Sequence, residues 1–302
     1  MKSKLSIKPL SNIWMNCYLN NMYSLILSEE PSYYDLLLEN DYTYAFLGRV
    51  GWYKCLTLSK HKVYEICKKL NIWEMLAEGD IIEEIAQHIM DGCAVMATVD
   101  LYEWLPLGLD YHKRHLLHDT MIVGFDSGEQ LLYVFDDDIN GYAEHTVSYN
   151  TFLGAYSSHT LKIVKLPKNF DPYKLEVNTL KENAEFLVHR IDSLCATSIW
   201  NIFDRYDMLN DLIIEMTKIH SRAKVNGILV ERVFGNIDEF IALKQIAEQT
   251  VIIWEQVKST VIKCQLRRGV FDFKKVNYLS FRALEYERSF WENFAALCEG
   301  RV

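Results

Sequence analysis

The sequence predicts an α+β fold that passes into a region of helices, and three observations carry that prediction. Short apolar runs with β-branched residues, CAVMATVD (93–100), HDTMIVGFD (118–126) and QLLYVFDD (130–137), read as strands. The last two meet at Ser127-Gly128, a hairpin signal. From residue 175 onward breakers are scarce and long side chains dominate, so 175–195, 198–220, 236–268 and 277–298 read as helices. Helices, then an antiparallel sheet, then helices again is α+β with a helical appendage. The boundary is expected at Lys168–Pro172, giving domains 1–168 and 169–302.

Each element has its own signal. Asn16 is a good N-cap, and Leu19, Met22, Tyr23 and Ile26 follow i, i+3, i+4, i+7 spacing, which predicts a helix over 16–29. Ser32 caps a short helix through Leu38. Residues 61–70 and 72–90 also read as helices, the second ending near Asp91-Gly92. After the strand at 93–100 comes a long loop, LYEWLPLGLDYHKRHLL (101–117), of a length that is often functional. Beyond the hairpin, 143–148 reads as a strand, 149–157 as a helix and 160–166 as a strand.

Half of the 302 residues are apolar and 24% are charged, so a packed core is expected and global disorder is not. The net charge of -9 is unevenly placed, with 14 Lys/Arg against 22 Asp/Glu in residues 1–169. That argues against a nucleic-acid partner, whose phosphates need clustered cations. Residues 9–28 are uncharged, but Pro9 and Asn12, Asn16, Asn20 and Asn21 make a membrane span costly. No signal peptide is visible. The seven cysteines lack any CxxC pair and read as reduced thiols of a cytoplasmic protein.

Three residues occupy positions suited to nucleophilic catalysis. Cys17 sits in the first turn of a helix, where N–H groups and the helix dipole favour a thiolate. His118 begins a strand, and Asp136 ends its hairpin partner. With a three-residue hairpin loop, 118 faces 138 and Asp136 is its diagonal neighbour on the same face. With a two-residue loop, Asp137 takes the facing place. Either carboxylate would orient the imidazole, as a nucleophile–base–orienter set requires. Each residue alone has a plainer explanation: a small apolar residue, a strand-edge histidine, an acidic turn. The combination, in the order Cys, His, Asp, is what points to chemistry.

The segments NCYLNNMYSL (16–25), HDTMIVGFD (118–126) and LYVFD (132–136) resemble the papain-like N-terminal domain of the butirosin biosynthesis protein H family. Bacteriocin-processing cysteine peptidases share a similar pattern, and a related protease homologue forms amide bonds in closthioamide biosynthesis. The resemblance covers about residues 10–165. It implies a papain-like cysteine protease-type domain with Cys17 as nucleophile, His118 as base and Asp136 as orienting acid. It further implies an acyltransferase of antibiotic biosynthesis. The acyl group would leave a carrier-protein thioester for Cys17 and pass to a small-molecule amine, forming an amide. The phosphopantetheine of an acyl or peptidyl carrier protein would then be a substrate arm, with no cofactor or metal of the enzyme's own. Asp137 stands where relatives often have Pro, so the choice between Asp136 and Asp137 stays open. The Cys17 N–H is one oxyanion donor, and Asn12, ahead of Asn16, is the candidate for a second. A peptidase or thioesterase with the same triad, or a non-catalytic protein on this scaffold, are the alternatives.

Other features carry less. His112, His115 and His118 form H-x2-H-x2-H, but without companion Cys or carboxylates at zinc spacing. His115 is the rival base. Asp136-Asp137-Asp138 lacks the Gly and Glu of a calcium loop. The Trp, Tyr and Leu of loop 101–117 would line an acyl tunnel or form a lid. Arg267-Arg268 would meet an acidic carrier, and the helical region would offer a homodimer face. No Walker A, GxGxxG or GxSxG motif is present.

Overall fold

The computed structural model describes residues 1–47, 53–59, 61–108, 110–138, 140–165, 170–195, 201–202, 209–235, 240–267 and 272–300. The expected boundary residues Lys168 and Asn169, the starts of the helices expected at 198 and 236, and Arg268 lie outside the described residues.

The fold is mixed α/β. The chain forms two compact units: Met1–Tyr33 with Tyr64–Pro172, and Tyr34–Val63 with Tyr173–Val302. A single cut at residue 168 therefore does not describe it, because residues 34–63 leave the first unit and join the second.

The first unit is built on a seven-stranded antiparallel sheet, ordered β4 (Asn71–Leu76), β9 (Tyr156–Lys165), β5 (Ala94–Asp100), β6 (Leu117–Asp126), β7 (Leu131–Asp138), β8 (Gly141–Ser148), with β1 (Lys2–Lys4) also on β6. β5 pairs with Leu117–Ile122 of β6, and β1 with Gly124–Asp126. Glycine is required at 124, where a Cβ would lie 2.9 Å from the Ser3 carbonyl and from the Lys4 side chain. Helices α1 (Cys17–Glu29), α4 (Ile81–Met90) and α5 (Tyr149–Ala155) belong to this unit. Ile85 and Ile89 of α4 and Phe152 of α5 pack on Val95, Ala97 and Val134 of the sheet, all buried. This follows from strand alternation, which sends residues two apart to one face.

The helix expected over 72–90 is corrected. Asp80 caps a helix that starts only at Ile81, its carboxylate accepting from the Ile82 N–H at 2.9 Å. Asn71–Leu76 instead pairs along β9, from Asn71↔Lys165 to Leu76↔Thr160. The Gly79-Asp80 start signal outweighs the helical periodicity before it.

The second unit holds β2 (Thr43–Leu47), β3 (Tyr53–Ser59) and β10 (Asn201–Ile202) in a small antiparallel sheet. Its helices include α6 (Val177–Cys195), α7 (Leu209–Phe234), α8 (Ile241–Arg267) and α9 (Phe273–Glu299). The helix expected over 198–220 is replaced in its described part by β10 and the start of α7. Its core holds a buried cation. Arg222 donates to the carbonyls of Leu37 (2.9 Å), Leu38 (2.9 Å) and Glu39 (3.2 Å), closing the end of α2 (Tyr33–Leu38). Its Nε donates to Asn226 Oδ1 at 3.0 Å, and its guanidinium lies 5.0 Å from the Tyr42 ring centroid. Glu287, also buried, accepts from the hydroxyls of Tyr42 and Tyr44, each at 2.5 Å. Among the described residues, no helix is long and apolar enough to cross a membrane.

Candidate active site

Helix α1 begins at Cys17 because Asn16 caps it, its Oδ1 accepting from the Leu19 N–H at 2.8 Å. The Asn20 N–H donates to the Asn16 carbonyl. The N–H groups of Cys17 and Tyr18 have no carbonyl acceptor inside the helix, since it would lie before the helix start. The approach to Cys17 is fixed by Asn20, fully buried, which donates to the carbonyls of Leu10 (2.9 Å) and Ile13 (2.7 Å) and accepts from the Met15 N–H (2.9 Å).

One turn beyond Cys17, Asn21 docks the helix on the sheet. Its Nδ2 donates to the Asp119 carbonyl at 3.3 Å, and its Oδ1 accepts from the Tyr142 hydroxyl at 2.6 Å. Residues four apart share a helix face, so a bond beside His118 also brings Cys17 towards His118.

The sheet opens at this point. The ladder between β6 and β7 runs from Asp126↔Leu131 to Met121↔Phe135 and ends there. Beyond it, His118 pairs with Val99 of β5, and Asp136 with Ala143 of β8. The gap is bridged by side chains: His118 Nε2 bonds Asp136 Oδ1 at 2.6 Å. The register arises by a route the sequence did not show. The hairpin loop has four residues, 127–130, and a bulge at Val123 removes the extra residue. Continued past Phe135, the pairing sets 118 opposite 138, so Asp136 is the diagonal neighbour on the face of His118.

Asp136 is 1% exposed and has three donors. Oδ1 receives His118 Nε2 and the Asp137 N–H (2.8 Å), and Oδ2 receives Trp104 Nε1 (2.7 Å). Burial pushes this carboxyl up, but the charge and hydrogen bond of His118, with the Asp137 and Trp104 donors, outweigh it and hold it below the ordinary carboxylate value. For His118, burial opposes the charged form. The charge and hydrogen bond of Asp136, together with a hydrogen bond and charge from Cys17, prevail and raise it well above the usual histidine range. With Nε2 on the carboxylate, Nδ1 is the nitrogen left for the thiol. The structure thus brings Cys17, His118 and Asp136 together, with the imidazole between thiol and acid.

Asp137 points elsewhere. Both its oxygens accept from Trp14 Nε1, at 3.0 and 3.1 Å, and burial pushes its carboxyl up to about 6. Asp138 closes the following turn, accepting from the Asn140 N–H at 2.6 Å. The three aspartates therefore serve three separate sites. The three histidines also diverge. His112 stacks on Tyr111, with ring centroids 4.0 Å apart. His115, mostly exposed, bonds Asp100 Oδ2 at 2.6 Å and stacks on Tyr102. Among the described residues no group of three or more His, Cys, Asp or Glu is arranged to hold a metal ion.

Trp104 is the residue sequence reasoning missed. The loop 101–117 was expected to line a tunnel or form a lid, yet Trp104 and Leu105 are buried in the core. Leu107, Leu116 and Leu117 are exposed. The signal for Trp104 was an indole N–H heading the short apolar run Leu105–Leu107, which needs an acceptor once buried. Of the amides considered for the oxyanion, Asn16 has both ends engaged, its Nδ2 donating to the Tyr64 hydroxyl at 3.5 Å. Asn12 is exposed on the approach to α1. Neither a protein-family model nor a curated protein matches this chain.

Proposed function

We propose that the protein is a cysteine-dependent acyltransferase that forms an amide bond, on a papain-like catalytic domain. The observation that carries this reading is the placement of His118, hydrogen-bonded to Asp136 and electrostatically coupled to Cys17, which stands at the start of a helix. A base of raised proton affinity beside a thiol is suited to take its proton and hold it.

The reaction runs in two halves. His118 takes the Cys17 proton, and the sulfur attacks the carbonyl carbon of a thioester. The oxyanion is met by the Cys17 N–H, with Asn12 as the second candidate. Collapse expels the donor thiolate, which takes the proton from His118, leaving an acyl-Cys17. An amine then attacks the acyl carbon and yields its proton to His118. The second collapse breaks the C–S bond, releases the amide and returns Cys17 with its proton. Asp136 holds the imidazole in one orientation throughout. The donor is a carrier-protein thioester and the acceptor a small amine, as the sequence resemblance implies.

The test uses a short acyl thioester and a panel of amines, with peptide mass spectrometry. The expected result is an acyl adduct on Cys17 and an amide product. Both should be lost in Cys17→Ala and reduced about 10²–10⁴-fold in His118→Ala. Free acid as the sole product would replace transfer by hydrolysis. No adduct, together with a Cys17 that iodoacetamide alkylates no faster than the other thiols at about pH 6, would leave a binding protein.

A further inference from the structure

We propose that Asp137, acting through Trp14, is a positioning residue for Cys17. The inference rests on the triad reading above and deepens it. Trp14 lies three residues before Cys17, in the segment that leads into α1. Its indole N–H is shared between the two oxygens of Asp137, at 3.0 and 3.1 Å. Asp137 follows the orienting acid directly in β7, and its own N–H donates to Asp136 Oδ1. One stretch of backbone therefore holds both ends of the relay. Asp136 fixes the imidazole from one face of β7, while Asp137 ties down the approach to the nucleophile from the other. Asn20 anchors Leu10, Ile13 and Met15 within the helix side of this segment, and Trp14 is its link to the sheet.

The cost of burying a carboxylate there argues that the contact has a use. Asp137 faces like charge from Asp136 on its own strand, opposite charge from His118 on β6 and His145 on β8, and the neutral Tyr142 phenol on β8. Burial and the Asp136 charge both work against its ionised form, and the Trp14 indole supports it. An ionised acceptor makes the stronger bond to an indole N–H, so the link tightens as Asp137 loses its proton, near pH 6. Asn in its place would keep the shape and an acceptor oxygen but not the charge.

The test needs no substrate. The rate of Cys17 alkylation by iodoacetamide is followed from pH 5 to 8 in the full chain, in Asp137→Asn, Trp14→Phe and His118→Ala. Backbone hydrogen exchange is followed over residues 10–19. The expected result is a step near pH 6 in the native profile that Asp137→Asn and Trp14→Phe both remove. Each should slow Cys17 about tenfold at pH 7, by loss of a charge-assisted bond, and speed exchange over 10–19. If Asp137→Asn slows Cys17 and Trp14→Phe does not, the effect is one of charge alone, and positioning through Trp14 is overturned. Unchanged alkylation and exchange in both variants overturn it equally. If Cys17 is indifferent to His118→Ala, the triad reading falls separately, and exchange over 10–19 in Trp14→Phe alone decides the link.

Discussion

Trp104 Nε1 donates to Asp136 Oδ2 at 2.7 Å, on the oxygen that His118 does not use. The carboxylate thus has a donor on each oxygen, one of them from the loop before its partner strand. Trp104→Phe keeps the bulk and removes the donor. A buried charge left short of a partner costs about 1–3 kcal/mol, to be read by urea unfolding. Asp136 stabilises the fold above its unfolded value of 3.8, and that contribution is lost as pH falls through its lowered folded value. In Trp104→Phe the folded value rises towards 3.8, so the loss should be complete at a higher pH. Identical acid transitions would show that the indole does not matter to the charge.

His118 carries the opposite sign. Its folded value lies above the ordinary 6.5, so its contribution to stability is complete below 6.5 and is lost as pH rises through the raised value. Asp136→Asn removes the charge that holds the imidazolium. NMR titration of the His118 ring should then show a marked fall, and Cys17 acylation should slow by about a hundredfold or more. An unmoved titration would place the source of the shift elsewhere.

Asp137→Asn should stabilise the protein while slowing Cys17. Asp137 goes from 3.8 to about 6 on folding, so it favours the folded state below pH 3.8, and that contribution is lost as pH rises through about 6. A side chain that cannot ionise escapes the loss. Two decades of proton affinity correspond to about 2–3 kcal/mol at pH 7, and the difference should vanish below about pH 4. Denaturant midpoints at pH 4 and 7 measure it, and a variant less stable at pH 7 would contradict it.

In the second unit, Arg222→Lys should cost about 3–5 kcal/mol, because a point charge cannot serve three carbonyls and Asn226 at once and leaves buried acceptors unpaired. Chemical denaturation should show an earlier transition. A loss under about 1 kcal/mol would mean the α2 carbonyls find other donors.

The strands around the site were legible because their signals are local. Alternation places Val95, Ala97 and Val99 on one face, and Asn16 marks the start of α1. The pairing of His118 with Asp136 rather than Asp137 was not legible, because a four-residue loop and the Val123 bulge compensate each other, and neither leaves a sequence mark. β4 was hidden because an edge strand need not alternate cleanly: of its residues, Ile72 and Met75 are the less exposed. β2 and β3 are held by each other and by β10, a partner more than 140 residues away, beyond the reach of any local pattern. Trp104 was read as part of a tunnel-lining or lid loop because its acceptor lies 32 residues on.

The excursion of residues 34–63 has a consequence for synthesis. At about 5–20 residues per second, Cys17 is made roughly 5–20 s before His118, so the nascent thiol first stands without that neighbour. The ribbon of β2 and β3 waits longer still, since its unit is completed only by residues 173–302. Tyr44 and Leu56, buried in the finished protein, are bare in the meantime. A gene cut after Pro172 would make that exposure permanent. It would supply Cys17, His118 and Asp136, yet leave an orphaned hairpin with open hydrogen-bonding edges, the kind of surface that draws chains into aggregates.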